Sequence, residues 1–175
     1  MTARDRILEA ARSLLIAGDT VTLESAARAC SLTKQGVMYH FRSKQALMLA
    51  LVDHVFERWQ VGLLDTLSVP FEESTTRERL SAYVDYVFTS ELDESDLVLM
   101  SDPRLRGSLG DRWNERLGPW LAIDADVSEE QAARFGAARL IAGGMWFAGA
   151  SGIFAPEPAE RARVHRIARG YLDLS

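Results

Sequence analysis

Apolar side chains recur at intervals of three and four residues along almost the whole chain, which is the pattern of amphipathic α-helices. Ile7, Ala11 and Leu14 form the apolar stripe of a first helix. Gly18 is placed to end that helix, because glycine readily adopts the left-handed conformation that follows many helices. No comparable run alternates apolar and polar residues, so the pattern predicts an all-α protein of about nine helices.

Two short helices follow the first one closely. Thr22 and Thr33 are positioned as N-caps, because a threonine hydroxyl accepts a hydrogen bond from a free N–H of the first turn. The helices that they open span residues 23–30 and 34–41. Only residues 31–33 separate the two helices, so they must cross at a steep angle, which predicts a helix-turn-helix.

The remaining chain is also predicted to be helical. Ser43 is positioned to cap a long fourth helix that reaches about Thr66, and Thr75 with Glu78 forms a capping box for a fifth. Residues 70–74 between them are expected to form a loop. A short helix is predicted near residues 93–100, and another begins at about Ser108 and is interrupted near Gly118–Pro119. A long helix is predicted from Ser128 to about residue 152, and a last helix begins at Pro158.

Composition describes an ordinary globular protein: of 175 residues, 47% are hydrophobic and 26% are charged. Cys30 is the only cysteine, so no internal disulfide can form. The longest uncharged run, residues 140–156, contains four glycines and falls short of the roughly 20 apolar residues of a membrane span. The first residues show no secretory pattern, and we expect a cytoplasmic protein without a membrane span.

The formal net charge of −5 conceals an asymmetry. Residues 1–50 carry seven basic and four acidic side chains, so this segment is positive and the rest of the chain is negative. Both lysines, Lys34 and Lys44, lie in the first segment. The asymmetry indicates that only the N-terminal end meets a polyanion, although a solvated basic face produces the same pattern.

The second helix of the predicted helix-turn-helix has two distinct faces. On a helical wheel Val37 and Phe41 face the core, and the outward face carries Gln35, Gly36 and Tyr39. Such a face can enter the major groove of DNA, where glutamine pairs with an adenine edge and glycine permits close approach of the backbone. The side chains with donors that reach phosphate oxygens are Lys34, Tyr39, His40, Thr22 and Lys44. The alternative is that the aromatic side chains only complete a small helical core.

Residues 22–47 carry a more specific signal, TLESAARACSLTKQGVMYHFRSKQAL, in which the Tyr-His-Phe-x-Ser-Lys-x-x-Leu stretch starts at Tyr39. Residues 3–50 resemble the DNA-binding segment of the tetracycline-repressor (TetR/AcrR) family. The resemblance implies an all-helical homodimer that binds a palindromic operator in double-stranded DNA. It also implies repression that ends when a small molecule enters the C-terminal domain.

The resemblance assigns DNA contacts to eight positions of this chain: Thr22, Thr33, Lys34, Gln35, Gly36, Tyr39, His40 and Lys44. Two positions depart from the family pattern. Ser31 stands where the turn usually has glycine, so a serine is expected in the left-handed conformation at a cost of about 1 kcal/mol. Met38 stands where an aromatic residue is usual, so one phosphate contact is in question.

We therefore predict a DNA-binding domain over residues 1–47 and a helical ligand-sensing and dimerisation domain over residues 48–175. Apolar and small residues in the last two helices indicate a homodimer formed through those helices, with closure of the subunit's own core as the alternative. A largely apolar effector site is predicted among Trp59, Tyr83, Tyr86, Trp113, Trp120 and Phe135, and an aromatic core explains the same residues.

Catalytic and metal motifs are missing from the sequence. It has no glycine-rich phosphate loop, nucleophile elbow or Cys-x-x-Cys, so we expect no cofactor and no enzymatic activity. His54 near Glu57 lacks a second metal-binding pair, and Cys30 is expected to be a small apolar core residue. The predicted function is a ligand-responsive, TetR-like repressor. The alternatives are a regulator whose C-terminal domain binds a protein partner or no ligand, and, third, a small helical enzyme.

Overall fold

Helices account for nearly all of the regular structure. The structure, a computed structural model, describes residues 1–173. Within them lie eight α-helices: α1 (Ala3–Ile16), α2 (Leu23–Ala29), α3 (Lys34–His40), α4 (Lys44–Thr66), α5 (Thr76–Thr89), α6 (Arg106–Leu121), α7 (Glu129–Ser151) and α8 (Pro158–Asp173). Short 3-10 helices occupy Phe71–Glu73 and Glu94–Met100. The all-α prediction is confirmed, and the described residues contain no strand.

The predicted caps are present. The Thr22 hydroxyl accepts from the backbone of Ser25, at the start of α2. The Thr33 hydroxyl accepts from the Gly36 N–H at 3.0 Å, at the start of α3. Thr75 forms a full capping box at the start of α5. Each cap satisfies a donor that the first helical turn would otherwise leave free, so local sequence fixes where these helices begin.

Two helices differ from the prediction. Helix α6 begins at Arg106 and continues through Pro119, although the proline predicted an interruption. Pro119 lies in the last turn, where its missing N–H removes a single hydrogen bond, and continuing the helix keeps Trp120 buried. The segment Glu94–Met100 is a 3-10 helix with a non-helical residue, Leu97, at φ −93° and ψ 19°.

The chain divides into two compact units. The first contains Met1–Arg58 and Asp93–Arg116, and so includes all of the predicted DNA-binding segment. In this unit α1 packs on α2 and on the Glu94–Met100 helix, and α2 packs on α3. Arg12 of α1 donates a hydrogen bond to the Asp93 carboxylate at 3.0 Å. Fully buried side chains of this unit include Ile7, Ala26, Val37, Leu47 and Leu109.

The second unit contains Trp59–Leu92 and the chain from residue 117 onward. Helices α5, α7 and α8 pack on one another in pairs, around buried side chains that include Leu80, Val84, Ala138, Ala142, Ala168 and Leu172. Arg79 is almost fully buried and donates to the Asp124 carboxylate and to two backbone carbonyls, so its charge and donors are largely satisfied. None of the helices in residues 1–173 has the length and apolar character that a membrane crossing requires.

Candidate nucleic-acid interface

The turn between α2 and α3 is fixed by backbone hydrogen bonds. The Leu32 N–H donates to the Ala27 carbonyl at 2.9 Å, and the Ser31 N–H donates to the Arg28 carbonyl at 3.3 Å. This pair of bonds is the Schellman motif that ends many helices, and it requires a left-handed residue at Ser31. Ser31 has φ 57°, so the predicted left-handed serine is confirmed.

Helix α3 presents the two faces that the sequence predicted. Val37 is 0% exposed and Phe41, just after the helix, is 3% exposed, so both are anchored in the core of the first unit. Gln35 is exposed on the opposite side, and Tyr39 is 85% exposed. A two-turn helix held at one face by apolar packing and at its start by Thr33 therefore offers a fixed polar face to a partner.

Gly36 lies on α3 without a reason in the packing of the described residues. A Cβ placed on it would lie 3.4 Å from the Thr33 hydroxyl oxygen and 3.7 Å from the Leu32 Cβ, which are ordinary contact distances. Glycine in a helix costs about 1 kcal/mol relative to alanine. The fold itself gains nothing from that cost, and the same is true of Gly110, Gly136 and Gly144 in other helices, so Gly36 permits close approach of a partner without by itself requiring one.

Both lysines near α3 form ion pairs. Lys34 pairs with Glu24, with both side chains more than half exposed, so the pair contributes little to stability. The hydrogen bond from Lys34 lowers the pKa of Glu24. Lys44, at the start of α4, lies 2.5 Å from a carboxylate oxygen of Asp102, whose side chain is only 12% exposed. The Lys44 hydrogen bond is the main cause of the lowered pKa of Asp102.

The other predicted DNA-contacting residues lie beside α3 or at the start of α2. The Tyr39 and His40 rings meet edge to face, with centroids 5.1 Å apart. Thr22 is half-buried, and its hydroxyl is engaged with Ser25, 3.2 Å from the serine oxygen. Met38 is 41% exposed, so an apolar side chain occupies part of the outward surface. The capping role of Ser25 was not predicted, although its position three residues after Thr22 is the local signal.

Three of the six predicted effector-site residues lie together in the second unit. The Trp59 ring lies 5.0 Å from the Tyr86 ring and 6.4 Å from the Tyr83 ring, between centroids. Trp146, which the sequence did not single out, lies 6.5 Å from Trp59. Burial raises the pKa of Tyr83 to about 12, so its hydroxyl keeps its proton near neutral pH. We call Trp59, Tyr83, Tyr86 and Trp146 the aromatic cluster.

The other three predicted effector-site residues have different neighbours. Trp113 belongs to the first unit, where its ring meets Phe56 edge to face at 5.9 Å. Trp120 packs against Phe71 at 4.7 Å. Phe135 is 2% exposed at one side of an open surface cavity of about 370 Å³. The structure thus records ring contacts within the aromatic cluster, and it gives Trp113 and Trp120 ring contacts with Phe56 and Phe71.

His54 forms a hydrogen bond within the first unit. Its Nε2 lies 3.1 Å from a carboxylate oxygen of Glu9 on α1. Across the described residues, no group of three histidine, cysteine, aspartate or glutamate side chains is arranged to hold a metal ion. Cys30 is a half-buried free thiol whose sulfur lies 3.6 Å from the Ala27 carbonyl oxygen.

The fixed turn between α2 and α3 and the two short helices beside it form a helix-turn-helix. Residues 7–51 match the family model described as bacterial regulatory proteins, tetR family. The match confirms the resemblance of this N-terminal segment to the tetR family of regulatory proteins. No curated protein matches the chain significantly.

Proposed function

We propose that the protein is a homodimeric repressor that binds a palindromic operator through α3 and leaves it when a small, largely apolar effector binds the C-terminal part of the chain. The observation that carries the DNA-binding part is the outward face of α3. Gln35 and Tyr39 are exposed there, and Gly36 has no packing reason to be glycine. A groove that accepts the helix closely supplies that reason, because any side chain at this position would hold the backbone away from the bases.

Exposed apolar side chains on the last two helices support the homodimer. Leu140 and Phe147 of α7 are 65% and 38% exposed, and they share a face with the exposed Gly144. Ile167 and Tyr171 of α8, one turn apart, are 57% and 38% exposed. Binding of two half-sites of a palindrome requires a dimer that holds two copies of α3 about 34 to 36 Å apart, which is one turn of DNA. A wild-type monomer at micromolar concentration, measured by light scattering, would exclude the homodimer.

The aromatic cluster supports the effector proposal. Its rings provide an apolar surface with the Tyr83 hydroxyl as a neutral polar group, which suits an apolar molecule with few polar atoms. The effector must bind the form of the protein that does not bind DNA more tightly. A preference of about 100-fold, near 2.7 kcal/mol, is typical of allosteric coupling. Because its partner is chromosomal DNA, we place the proposed regulator in the cytoplasm and assign it no catalytic role.

Selection of bound duplexes from a random pool, using the purified full-length protein, tests the DNA-binding proposal. Failure to enrich any duplex at low salt would exclude it. On the selected duplex, Gln35→Ala is expected to relax base preference at one position of each half-site, with a discrimination loss of about 1 to 3 kcal/mol. Gln60→Ala, a substitution of an exposed glutamine of the second unit, is the matched control and should leave preference unchanged.

Lys44 is tested separately, because a phosphate contact has a different signature. Lys44→Ala should weaken binding to all duplexes alike. It should also reduce the steepness of the fall in log affinity with log salt concentration by about 0.9 for each lost phosphate contact. An unchanged affinity at moderate salt would remove Lys44 from the interface. A metabolite screen for release of the selected duplex then tests the effector. If no small molecule releases DNA, the alternative is favoured, in which the C-terminal part binds a protein or no ligand.

A further inference from the structure

We infer that the segment Asp102–Arg106, which lies outside the helix-turn-helix, forms a second contact site for DNA phosphates beside Lys44. This inference rests on the proposed DNA binding and extends it to a part of the chain that the family match at residues 7–51 does not include. The site consists of the Asp102 carboxylate, which holds the segment in place, and the guanidinium groups of Arg104 and Arg106, which face solvent.

The ion pair of Lys44 places the segment. One Asp102 carboxylate oxygen lies 2.5 Å from the Lys44 Nζ, and the other accepts from the Arg104 N–H at 2.9 Å. The Leu105 N–H donates to the Asp102 carbonyl at 3.1 Å, which closes the turn. All of these residues belong to the first compact unit. Two residues of chain span at most about 7 Å, so Arg104 begins within side-chain reach of any phosphate bound at Lys44.

The charges show why the segment matters for an anionic partner. Asp102 offsets part of the charge of Lys44, so this lysine attracts a phosphate less strongly than an unpaired lysine would. Arg104 and Arg106 restore the positive charge. Both are exposed, and neither forms an ion pair with another described residue. Asp102 is the only acidic residue between positions 97 and 110, so Lys44 and this segment together carry a net charge of +2.

Duplex DNA is the partner that fits these groups. Arginine binds phosphate oxygens with two parallel hydrogen bonds, and the DNA backbone offers phosphates at a regular spacing on the flank of the groove that a recognition helix enters. Contacts of this kind carry no base preference. They increase the affinity for DNA and its dependence on salt. They also lengthen the stretch of DNA backbone that the protein contacts, beyond the stretch that the helix-turn-helix contacts alone.

The test compares the full-length wild type with Arg104→Ala/Arg106→Ala on the selected duplex, by fluorescence anisotropy between about 50 and 200 mM salt. Each arginine that contacts a phosphate contributes about 0.9 to the slope of log affinity against log salt, so the double variant of a dimer should lose up to about 4 in slope. We expect its affinity to fall about tenfold or more at the higher salt, with the base preference of the wild type retained.

The control is Gln60→Glu/Ser68→Glu, which changes the net charge equally at two exposed positions of the second unit, away from the last two helices. It should keep the wild-type slope, and light scattering should show the same assembly for both double variants. Arg104→Lys/Arg106→Lys should keep most of the slope, because a lysine also neutralises a phosphate. Equal slopes for the Arg104/Arg106 alanine variant and the control would overturn this inference alone. A wild type that binds no duplex would overturn the proposed function as well.

Discussion

Gly62→Ala tests how tightly the aromatic cluster is packed. Gly62 lies in α4, and a Cβ added to it would lie 2.2 Å from one ring carbon of Tyr86 and 2.5 Å from another. Carbon atoms in contact are normally about 3.5 to 4.0 Å apart, so the Tyr86 ring must move by more than 1 Å. That ring packs against Trp59 at 5.0 Å, so its movement disturbs the cluster as well.

Two opposing effects set the size of the change in the free energy of unfolding of Gly62→Ala. Replacing a helical glycine with alanine stabilises a helix by about 1 kcal/mol. Overpacking a filled core costs about 1 to 3 kcal/mol, and the short contacts at Gly62 place this substitution toward the upper end. The expected net result is a loss of up to about 2 kcal/mol in the free energy of unfolding. Gly110→Ala in α6 is the matched control, because its Cβ would meet no atom within 4 Å, and it should gain about 1 kcal/mol.

Urea unfolding followed by circular dichroism and by tryptophan fluorescence measures both variants. If Gly62→Ala is as stable as Gly110→Ala, the Tyr86 ring has room to move without loss, and a tightly filled aromatic cluster is refuted. That outcome would also favour the proposed effector site, because free space beside Trp59 is what an effector pocket requires. A loss near the upper end would instead show that an effector must push these rings apart to bind among them.

Two further predictions concern stability alone. Ser31→Gly should raise the free energy of unfolding by about 1 kcal/mol, because glycine adopts the φ of 57° without steric cost; a less stable variant in urea unfolding would contradict the turn geometry. Hydrogen bonds from Thr76, and then from Arg79, lower the pKa of Asp124 in the folded protein. The charged carboxylate therefore stabilises the fold at pH values above the unfolded-state pKa of about 4. This contribution is lost as the pH falls through the lower pKa of the folded state. The free energy of unfolding should therefore drop below about pH 4, and Asp124→Asn should make that drop smaller; an equal drop in both proteins would show that Asp124 does not contribute.

Sequence predicted the helix starts because their causes are local. The Thr33 cap and its partner Gly36 are three residues apart. The left-handed Ser31 follows from the family resemblance, because the family usually has glycine at this position of the turn. Pro119 was mispredicted as an interruption because the local rule says nothing about the buried Trp120 beside it. A propensity rule fails where tertiary burial outweighs one lost hydrogen bond.

Pairings between distant residues could not be predicted in the same way. The donors of Lys44, its place at the start of the fourth helix and the family resemblance predict a phosphate contact, whereas its partner Asp102 lies 58 residues further along the chain. The aromatic side chains show the same limit. Trp59 and Trp113 look alike in the sequence, as large apolar side chains on predicted helices, but they belong to different compact units. Composition identifies apolar residues and does not tell which of them become neighbours.

The strained serine in the turn before α3 also has an evolutionary consequence. Ser31 holds its φ of 57° at a steric cost that glycine would not incur. Codons for serine and glycine can differ by one base, so a lineage that colonises a hotter habitat has a simple mutational route to greater heat tolerance. The substitution would leave every side chain of α3 unaltered, so adaptation to temperature at this position need not change the set of genes that the regulator controls.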